Sequence, residues 1–315
     1  MSKPVRGEPS VPVSFRHRAE YAALRAVVGA LGALDWRRAG NIGARIGGLG
    51  YRPLGIRRAV VERQIAAAFP GLAEKGVTRV ARAADEHLGR SSIEAAILPA
   101  LGPGAVLDLF EGADNFEAVE AAMRLKRGLI FVSGHLGNWE LAGAYVAARG
   151  IPLDGIARRM KNPLFDAYLT DTRSRIGIHV VHDAEAVRRT PRSLRDGRAV
   201  GFIADQGVLG LASTFVPFFG RPAKTPRGPA IFALRLDVPV VFGVALRQRS
   251  GKYRMVFEPV AVENTGDRDR DVDAIVARYT AILEKWVRRY PEQYFWHHRR
   301  WRRQPPGTPP ELREP

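Results

Sequence analysis

Short runs of β-branched and aromatic residues alternate with helical segments in the second half of the chain, and this alternation most constrains the fold. Leu129–Val132 and Ala199–Ala204 have the composition of buried strands, and Trp139–Ala148 between them has that of a helix. Strands that alternate with helices form βαβ units, in which the strands lie parallel. We therefore predict an α/β fold with a mainly parallel sheet flanked by helices.

The remaining elements of this core follow from the same pattern. Further strands are predicted at Asp154–Arg158, His179–Val181, Val238–Leu246 and Tyr253–Val260, and further helices at Pro163–Ile176, Ala184–Arg195, Gly228–Leu236 and Asp271–Arg289. In the last helix the apolar residues from Val272 to Trp286 share one face, which indicates packing against the sheet.

The first third of the chain differs from this core in composition and periodicity. From residue 15 to 125, Ala, Leu, Arg and Glu dominate, apolar residues recur at three- and four-residue spacing, and no strand-like run is found. We predict a helical, membrane-facing portion over residues 1–125, the α/β core over 126–303 and a disordered, proline-rich tail over 304–315. The apolar stretch Tyr21–Leu34 is interrupted by Arg25 and is shorter than the roughly 18 to 20 residues that span a bilayer. We therefore expect peripheral attachment.

Charge and cysteine content narrow the class of protein. The chain carries 49 Lys and Arg against 32 Asp and Glu, a formal charge of +17, which favours an acidic partner such as nucleic acid, anionic lipid or an acidic carrier protein. It has no cysteine, which excludes disulfides, thiolate zinc sites and cysteine nucleophiles. The first fifteen residues lack a secretory signal pattern, so we expect the cytoplasmic side of the membrane.

The segment Val132–Gly143 is the main candidate for chemistry, because it follows a strand, opens a helix and contains both His135 and Glu140. On one continuous helix, five steps of roughly 100° would separate these side chains by about 140°. They can meet only if His135 lies in the strand-to-helix turn, which Gly134 and Gly137 make possible. A carboxylate would then hold one imidazole nitrogen while the other accepts a proton from a substrate hydroxyl.

Other interpretations of the same segment stand beside this one. His135 can be an ordinary turn residue and Glu140 a helix N-terminal charge that the macrodipole favours. Zinc binding fits less well, because the pattern is not H-E-x-x-H. Ser133 does not fit a nucleophile, because no G-x-S-x-G elbow surrounds it.

Several ordered blocks make the chain from about Ala22 to Arg303 resemble the lipid A biosynthesis acyltransferases, within the glycerolipid acyltransferase-like group. The blocks are Gly134–Glu140, Arg158-Arg159 with Asn162-Pro163, Asp205-Gln206, Pro217–Gly220 with Ala223–Gly228, and Pro291–Trp296 with Arg299-Arg300. The resemblance implies that His135 is a general base with Glu140 as its partner. It implies transfer of a fatty acyl group from an acyl-acyl carrier protein, without a covalent acyl-enzyme, to a hydroxyl of a phosphorylated glycolipid.

Further substrate-binding residues are expected in these blocks. The resemblance places Arg159, or Arg158 beside it, at the phosphorylated acceptor or the developing oxyanion; a solvated strand-end arginine is the alternative. Asp205 and Gln206 follow a predicted parallel strand, at the end where α/β sites gather. They are expected to position substrate or brace Arg159, with a turn cap as the alternative for Asp205.

The segment from Phe215 to Gly220 is unusually aromatic for a loop. We expect Phe218 and Phe219 to form a wall for the acyl chain, with an ordinary core strand as the alternative. Lys224, Thr225 and Gly228 precede a predicted helix whose N-terminus can bind a phosphate or a carbonyl oxygen.

The mixture of Trp and Arg over residues 296–303 suits a lipid headgroup interface. It would also suit single-stranded nucleic acid, but no nucleic-acid-binding motif is found, so we expect no nucleic-acid partner. We expect no cofactor and no metal. The alternatives are an enzyme that uses acyl-CoA, one that acylates a lysophospholipid, an aminolipid or a phosphatidylinositol mannoside, and a non-enzymatic basic binding protein.

Overall fold

A seven-stranded sheet organises the computed structural model, which describes residues 12–207 and 212–315. The strands are β1 (Phe110–Asp114), β2 (Leu129–Ser133), β3 (Leu153–Ala157), β4 (Ile178–His182), β5 (Ala199–Ile203), β6 (Ser213–Phe218), β7 (Arg221–Pro226), β8 (Val240–Arg247) and β9 (Tyr253–Val260). The order in the sheet is β1-β9-β8-β2-β5-β3-β4, and β6 and β7 form a separate antiparallel hairpin. Every neighbouring pair in the large sheet is parallel except β8 with β9.

Helices cover both faces of the sheet. They are α1 (Phe15–Gly32), α2 (Trp36–Tyr51), α3 (Arg58–Ala68), α4 (Glu74–Ile97), α5 (Pro103–Asp108), α6 (Phe116–Arg124), α7 (Trp139–Ala148), α8 (Pro163–Arg175), α9 (Asp183–Arg195), α10 (Gly228–Leu236) and α11 (Arg268–Arg289). No helix in the described part of the chain is long and apolar enough to cross a bilayer.

The central strand β2 shows why the sheet needs cover on both sides. Its residues Ile130 and Val132 belong to the core beneath α10 and α11, while Leu129 and Phe131 belong to the core beneath α7. Four of its five residues are buried. A continuous apolar run of this kind is typical of a parallel strand enclosed between two helical layers.

The predicted α/β architecture and its helical N-terminal portion are confirmed, and several element bounds agree with the sequence pattern. Helices α7 and α10 and strand β9 have the predicted bounds, and the predicted inner face of α11 is largely buried. Three strands depart from the expectation. β6 and β7 form a hairpin where an aromatic loop was expected. β1 lies inside the stretch expected to be helical only, and it pairs with β9 at the sheet edge. The sequence Phe-Glu-Gly-Ala-Asp has no β-branched residue, so this strand depends on its partner.

The C-terminal segment also differs from the expectation of a disordered tail. A short 3-10 turn forms at Pro310–Leu312, and Glu314 makes an ion pair with Arg299. Arg221 donates to the carbonyl of Arg313 at 2.8 Å, and Thr308 is buried. Polar contacts with the core therefore order a segment that has little apolar surface of its own.

Helices α2 and α4 approach closely through glycines. A Cβ placed on Gly47 would lie 2.0 Å from the carbonyl oxygen of Asp85, and one on Gly89 would lie 2.2 Å from that of Gly43. Backbone atoms cannot move aside as the end of a flexible side chain can, so these positions require glycine.

We predict that Gly47→Ala lowers the free energy of unfolding by about 1–3 kcal/mol, because the added methyl group overpacks the helix crossing. Urea unfolding followed by circular dichroism measures the change. Gly29→Ala in α1 is the matched control, since a Cβ there meets nothing within 4 Å; it should leave stability unchanged or raise it. Equal stability of the two variants would contradict the proposed crossing.

Candidate active site

The turn between β2 and α7 holds His135, as the sequence predicts. Gly137 has a φ of +64°, and a Cβ there would lie 2.0 Å from the carbonyl oxygen of Ala245. Asn138 caps α7 by accepting a hydrogen bond from the amide of Leu141 at 3.0 Å. The glycine allows the sharp turn, and the cap starts the helix immediately after it.

Asp205 holds His135 by two contacts. Its Oδ1 lies 2.7 Å from the imidazole Nδ1, and its Oδ2 accepts the backbone N–H of His135 at 3.0 Å. Asp205 follows β5, the strand that pairs with β2, so two adjacent parallel strands bring these residues together at their carboxyl ends. With Nδ1 engaged by a carboxylate, the imidazole Nε2 is the nitrogen left to accept a proton.

Burial and charge act in opposite directions on this pair. Burial favours the neutral imidazole, but the charge and hydrogen bond of Asp205, with a smaller contribution from Glu140, raise the pKa of His135 above its ordinary value. Burial alone would raise the pKa of Asp205, whereas His135 and the charge of Arg300 hold that pKa well below its usual range. Asp205 therefore remains ionised and stabilises a protonated His135.

Aromatic side chains surround the imidazole. The ring centroids of Trp139 and Phe295 lie 5.0 Å and 5.8 Å from that of His135, and the backbone N–H of Phe295 donates to the carbonyl of His135 at 2.9 Å. Tyr294 is buried nearby, and burial together with the charge of Asp205 raises the pKa of its hydroxyl well above the ordinary value. The aromatic contacts restrict the imidazole of His135 to one orientation.

Glu140 has a different partner from the one that its spacing suggests. Arg173 of α8 binds its carboxylate with two nitrogens, the Nε contact measuring 3.0 Å. Glu140 occupies the first turn of α7, so its side chain extends to the neighbouring helix while Asp205 occupies the imidazole Nδ1. The predicted pairing of Glu140 with that nitrogen is replaced by Asp205, and Glu140 acts on His135 through space.

A cavity of about 380 Å³ opens beside His135. Its mouth is polar and includes Glu140, Arg173 and Gln206, whereas its interior lies between the sheet and α7. The interior is lined by apolar or small residues, among them Phe131, Val146, Leu153, Gly155, Ile178, Val180, Gly201, Gly243 and Met255. The cavity therefore suits a molecule with an apolar chain and a reactive polar end.

Three of the predicted substrate residues lie at or near this mouth. Arg158 lines the cavity and is exposed. Arg159 is directed toward Asp166, with 3.9 Å between Nη1 and Oδ2. Gln206 lines the cavity, and its Nε2 lies 3.2 Å from His135 Nδ1.

The other predicted substrate residues do not line this cavity. Phe218 and Phe219 are buried beneath Trp296 and Trp301, so they are core residues and not the expected acyl wall. Their burial in the β6–β7 hairpin follows from the apolar surface that these tryptophans present.

The block from Lys224 to Gly228 is likewise placed behind the site. The Lys224 carbonyl and the Thr225 hydroxyl accept hydrogen bonds from buried Arg300 at 2.6 Å and 2.7 Å, and Gly228 begins α10. Lys224 and Thr225 thus position Arg300, whose charge acts on Asp205.

Sequence reasoning missed the residues that hold the turn from behind. His87 of α4 lies 3.1 Å from the carbonyl oxygen of Gly137, and burial lowers its pKa to about 4, which keeps it neutral. Asn138 donates to buried Glu94 at 3.1 Å. No local motif marks these residues, because each lies more than forty positions from the residue it contacts.

Among the described residues, no group of three or more His, Cys, Asp or Glu is arranged to hold a metal ion.

We predict that Asp205→Asn lowers the pKa of His135 below its ordinary value near 6.5, because burial then acts without the opposing carboxylate. NMR titration of the imidazole measures this change. Glu140→Gln is the matched control, since it removes the same charge from a carboxylate that does not bond the ring. An equal fall in the two variants would show that the Asp205 contact is not the dominant influence.

Comparison with known proteins agrees with this architecture. Residues 12–303 match the family described as bacterial lipid A biosynthesis acyltransferase. The chain is 26% identical to the lipid A biosynthesis lauroyltransferase of Escherichia coli strain K12, over 85% of this chain and 87% of the relative. It is 27% identical to the palmitoleoyltransferase of the same strain, over 84% and 85%. A phosphatidylinositol mannoside acyltransferase of Mycolicibacterium smegmatis is 24% identical, over 60% and 63%. The chain belongs to the bacterial lipid A biosynthesis acyltransferase family and is an acyltransferase.

Proposed function

We propose that the protein transfers a fatty acyl chain from acyl-acyl carrier protein to a hydroxyl of a lipid A precursor or a similar phosphorylated glycolipid, at the cytoplasmic face of the inner membrane. The observation that carries the proposal is the apolar cavity with the His135–Asp205 pair at its polar mouth. The names of the relatives in Escherichia coli support the acceptor class.

The chemistry follows from the imidazole geometry. The acceptor hydroxyl gives its proton to His135 Nε2 while its oxygen attacks the thioester carbonyl carbon. The carbon–sulfur bond then breaks, and the leaving thiolate takes the proton from the imidazolium. Asp205 stabilises the positive charge that His135 carries between these two steps, as the carboxylate does in a Ser-His-Asp triad. The substrate's own hydroxyl takes the place of the serine.

The interior of the cavity fits the hydrocarbon chain of the donor. Leu153, Gly155 and Ala157 succeed one another along β3 from the interior to the mouth, a distance of about 13 Å at the usual strand rise. Apolar residues line the inner end, so burial of the chain there is favourable at roughly 0.8 kcal/mol per methylene. The thioester would then lie beside His135.

The mouth offers cations to the acceptor. Arg158 is exposed on the cavity, and its planar guanidinium can bind a phosphate with two hydrogen bonds. Arg173 is already bound to Glu140, so its role is to fix that carboxylate beside the imidazole. The surplus of basic residues suits an acidic carrier protein, and the phosphates of acyl-CoA would be attracted by the same charge.

We predict that His135→Ala lowers acyl transfer about 10²- to 10⁴-fold, because the general base is lost. A purified assay with acyl-acyl carrier protein and a lipid A precursor measures it, and parallel assays with acyl-CoA identify the donor.

The acidic limb of the pH profile should follow the raised pKa of His135, since only the neutral imidazole accepts a proton. Asp205→Asn should lower the rate and move that limb to lower pH, while Glu140→Gln should move it less.

His298→Gln is the control for a partly buried histidine that does not line the cavity. Burial lowers the pKa of His298 to about 4, so it is neutral throughout the assay range. Full activity of His135→Ala beside normal folding would overturn the mechanism.

We predict that Gly201→Val shifts the preferred acyl chain to a shorter length, because the new side chain fills the cavity midway. A Cβ at Gly201 makes only ordinary contact with Leu153, at 3.6 Å, so the fold should accept it. Competition between donors of different chain length measures the shift. Gly104→Ala, which meets nothing within 4 Å and lies outside the cavity, should leave the preference unchanged. An unaltered preference in Gly201→Val would place the chain elsewhere.

A second acceptor class has its own support. Phosphatidylinositol mannoside acyltransferases also match this chain, so a mannosylated phosphatidylinositol is the alternative acceptor. Lipid mass spectrometry of cells with and without the protein distinguishes the two, because the accumulating species lacks one acyl chain and reveals the acceptor directly.

A further inference from the structure

A second cavity, of about 740 Å³, lies between α2 and α4 and is separate from the one beside His135. Arg45 and the α2 cap residue Arg52 line it from one side, and Arg82 and Arg90 line it from the other. We call this feature the α2–α4 groove. The glycine-dependent approach of the two helices explains it, because a close crossing brings arginines of both helices to one shared depression.

The groove has more positive charge than its own residues neutralise. Arg82 is paired with Glu86 at 2.9 Å, the single acidic residue in the lining. Arg90 donates to the neutral amide of Asn41 at 2.8 Å. Within residues 12–207 and 212–315, the side chain of Arg45 has no hydrogen bond or ion pair, and it is exposed. An anion entering the groove would meet guanidinium groups whose charge is unmatched.

Arg90 is the innermost of these cations. It is half-buried, and burial together with the charge of Arg247 lowers its pKa, although Glu94 acts in the opposite direction. A guanidinium that has lost part of its hydration gains more from an added anion than a fully solvated one does. The planar donor fork of arginine matches the oxygens of a phosphate.

Exposed apolar side chains adjoin the groove. Ile46 and Leu49 on α2 are 52% and 55% exposed, and Leu54 and Ile56 in the following turn are 68% and 53% exposed. Leu49 itself lines the groove. Aliphatic side chains beside arginines are typical of a surface that lies in the headgroup region of a bilayer, where the apolar groups enter the acyl layer. A free phosphate ion would make no use of them.

We propose that the α2–α4 groove binds the phosphate of an anionic phospholipid while Ile46, Leu49, Leu54 and Ile56 insert into the bilayer. The proposal rests on the proposed function only in that a lipid acyltransferase must reach a lipid surface. The groove is a docking site and takes no part in the transfer step, so binding and catalysis can be measured apart.

Vesicle flotation with the full chain tests the proposal. The parent should bind phosphatidylcholine vesicles that contain phosphatidylglycerol and bind pure phosphatidylcholine weakly. Arg45→Gln/Arg52→Gln should weaken binding to the anionic vesicles roughly 25-fold, since each arginine near the surface contributes a factor of about five. Leu49→Ser/Leu54→Ser, which changes no charge, should weaken binding to the same vesicles.

Arg192→Gln/Arg195→Gln on α9 is the matched control, because it removes the same charge from exposed positions outside the groove. It should retain parental binding. Transfer to a detergent-solubilised acceptor should be equal in all these proteins, so an inactive parent would count against the proposed function and leave the vesicle result standing.

Three outcomes would overturn the proposal. Equal losses in the groove and α9 variants would show a general effect of charge. Parental vesicle binding by the groove variant, with loss of transfer from acyl-acyl carrier protein, would assign the groove to an acidic protein. Calorimetric binding of inorganic phosphate that needs Arg45 and Arg52, with vesicle binding unaffected, would assign it to a free phosphate.

Discussion

The contact between Asp205 and His135 is the interaction on which the site depends. One carboxylate oxygen binds the imidazole and the other binds the backbone N–H of the same residue, so side chain and main chain are fixed together. The two residues follow adjacent parallel strands, and the sheet therefore sets their separation before any substrate arrives. A hydrogen-bonded carboxylate buried in the core is costly unless it is paired, and here its partner is the proposed general base.

The N-terminal helices α1 to α4, which we call the helical front, also contribute to the histidine turn. His87 and Glu94 reach from α4 to Gly137 and Asn138, the two residues that follow the histidine turn. Glu94 is buried, also binds the Tyr253 hydroxyl, and has Arg247 at 3.2 Å, so the network joins the helices to β8 and β9. Residues from both halves of the chain thus shape the turn that holds His135.

The sequence predicted what is encoded locally and failed where distant residues decide. The strands and helices of the core were predictable because their composition and periodicity are continuous, and the histidine turn because glycines flank it. The carboxylate that binds the imidazole was not predictable, because Asp205 lies 70 positions from His135. Glu140 is much closer in sequence and suggested itself instead. The aromatic character of Phe218 and Phe219 suggested a substrate wall. It could not reveal that Trp296 and Trp301, which are distant in sequence, cover them. Strand β1 was missed because its pairing with β9 replaces intrinsic preference.

The edge position of β1 has a consequence for synthesis of the chain. β1 pairs with β9, Asp85 lies 3.0 Å from His297, and Gln64 donates to the carbonyl of Trp296. Residues in the first part of the chain therefore obtain their partners from its last part. During translation the helical front emerges first. Part of its apolar and polar surface remains exposed to solvent until the C-terminal segment leaves the ribosome. Only then can the helical front and the sheet fold as one cooperative unit.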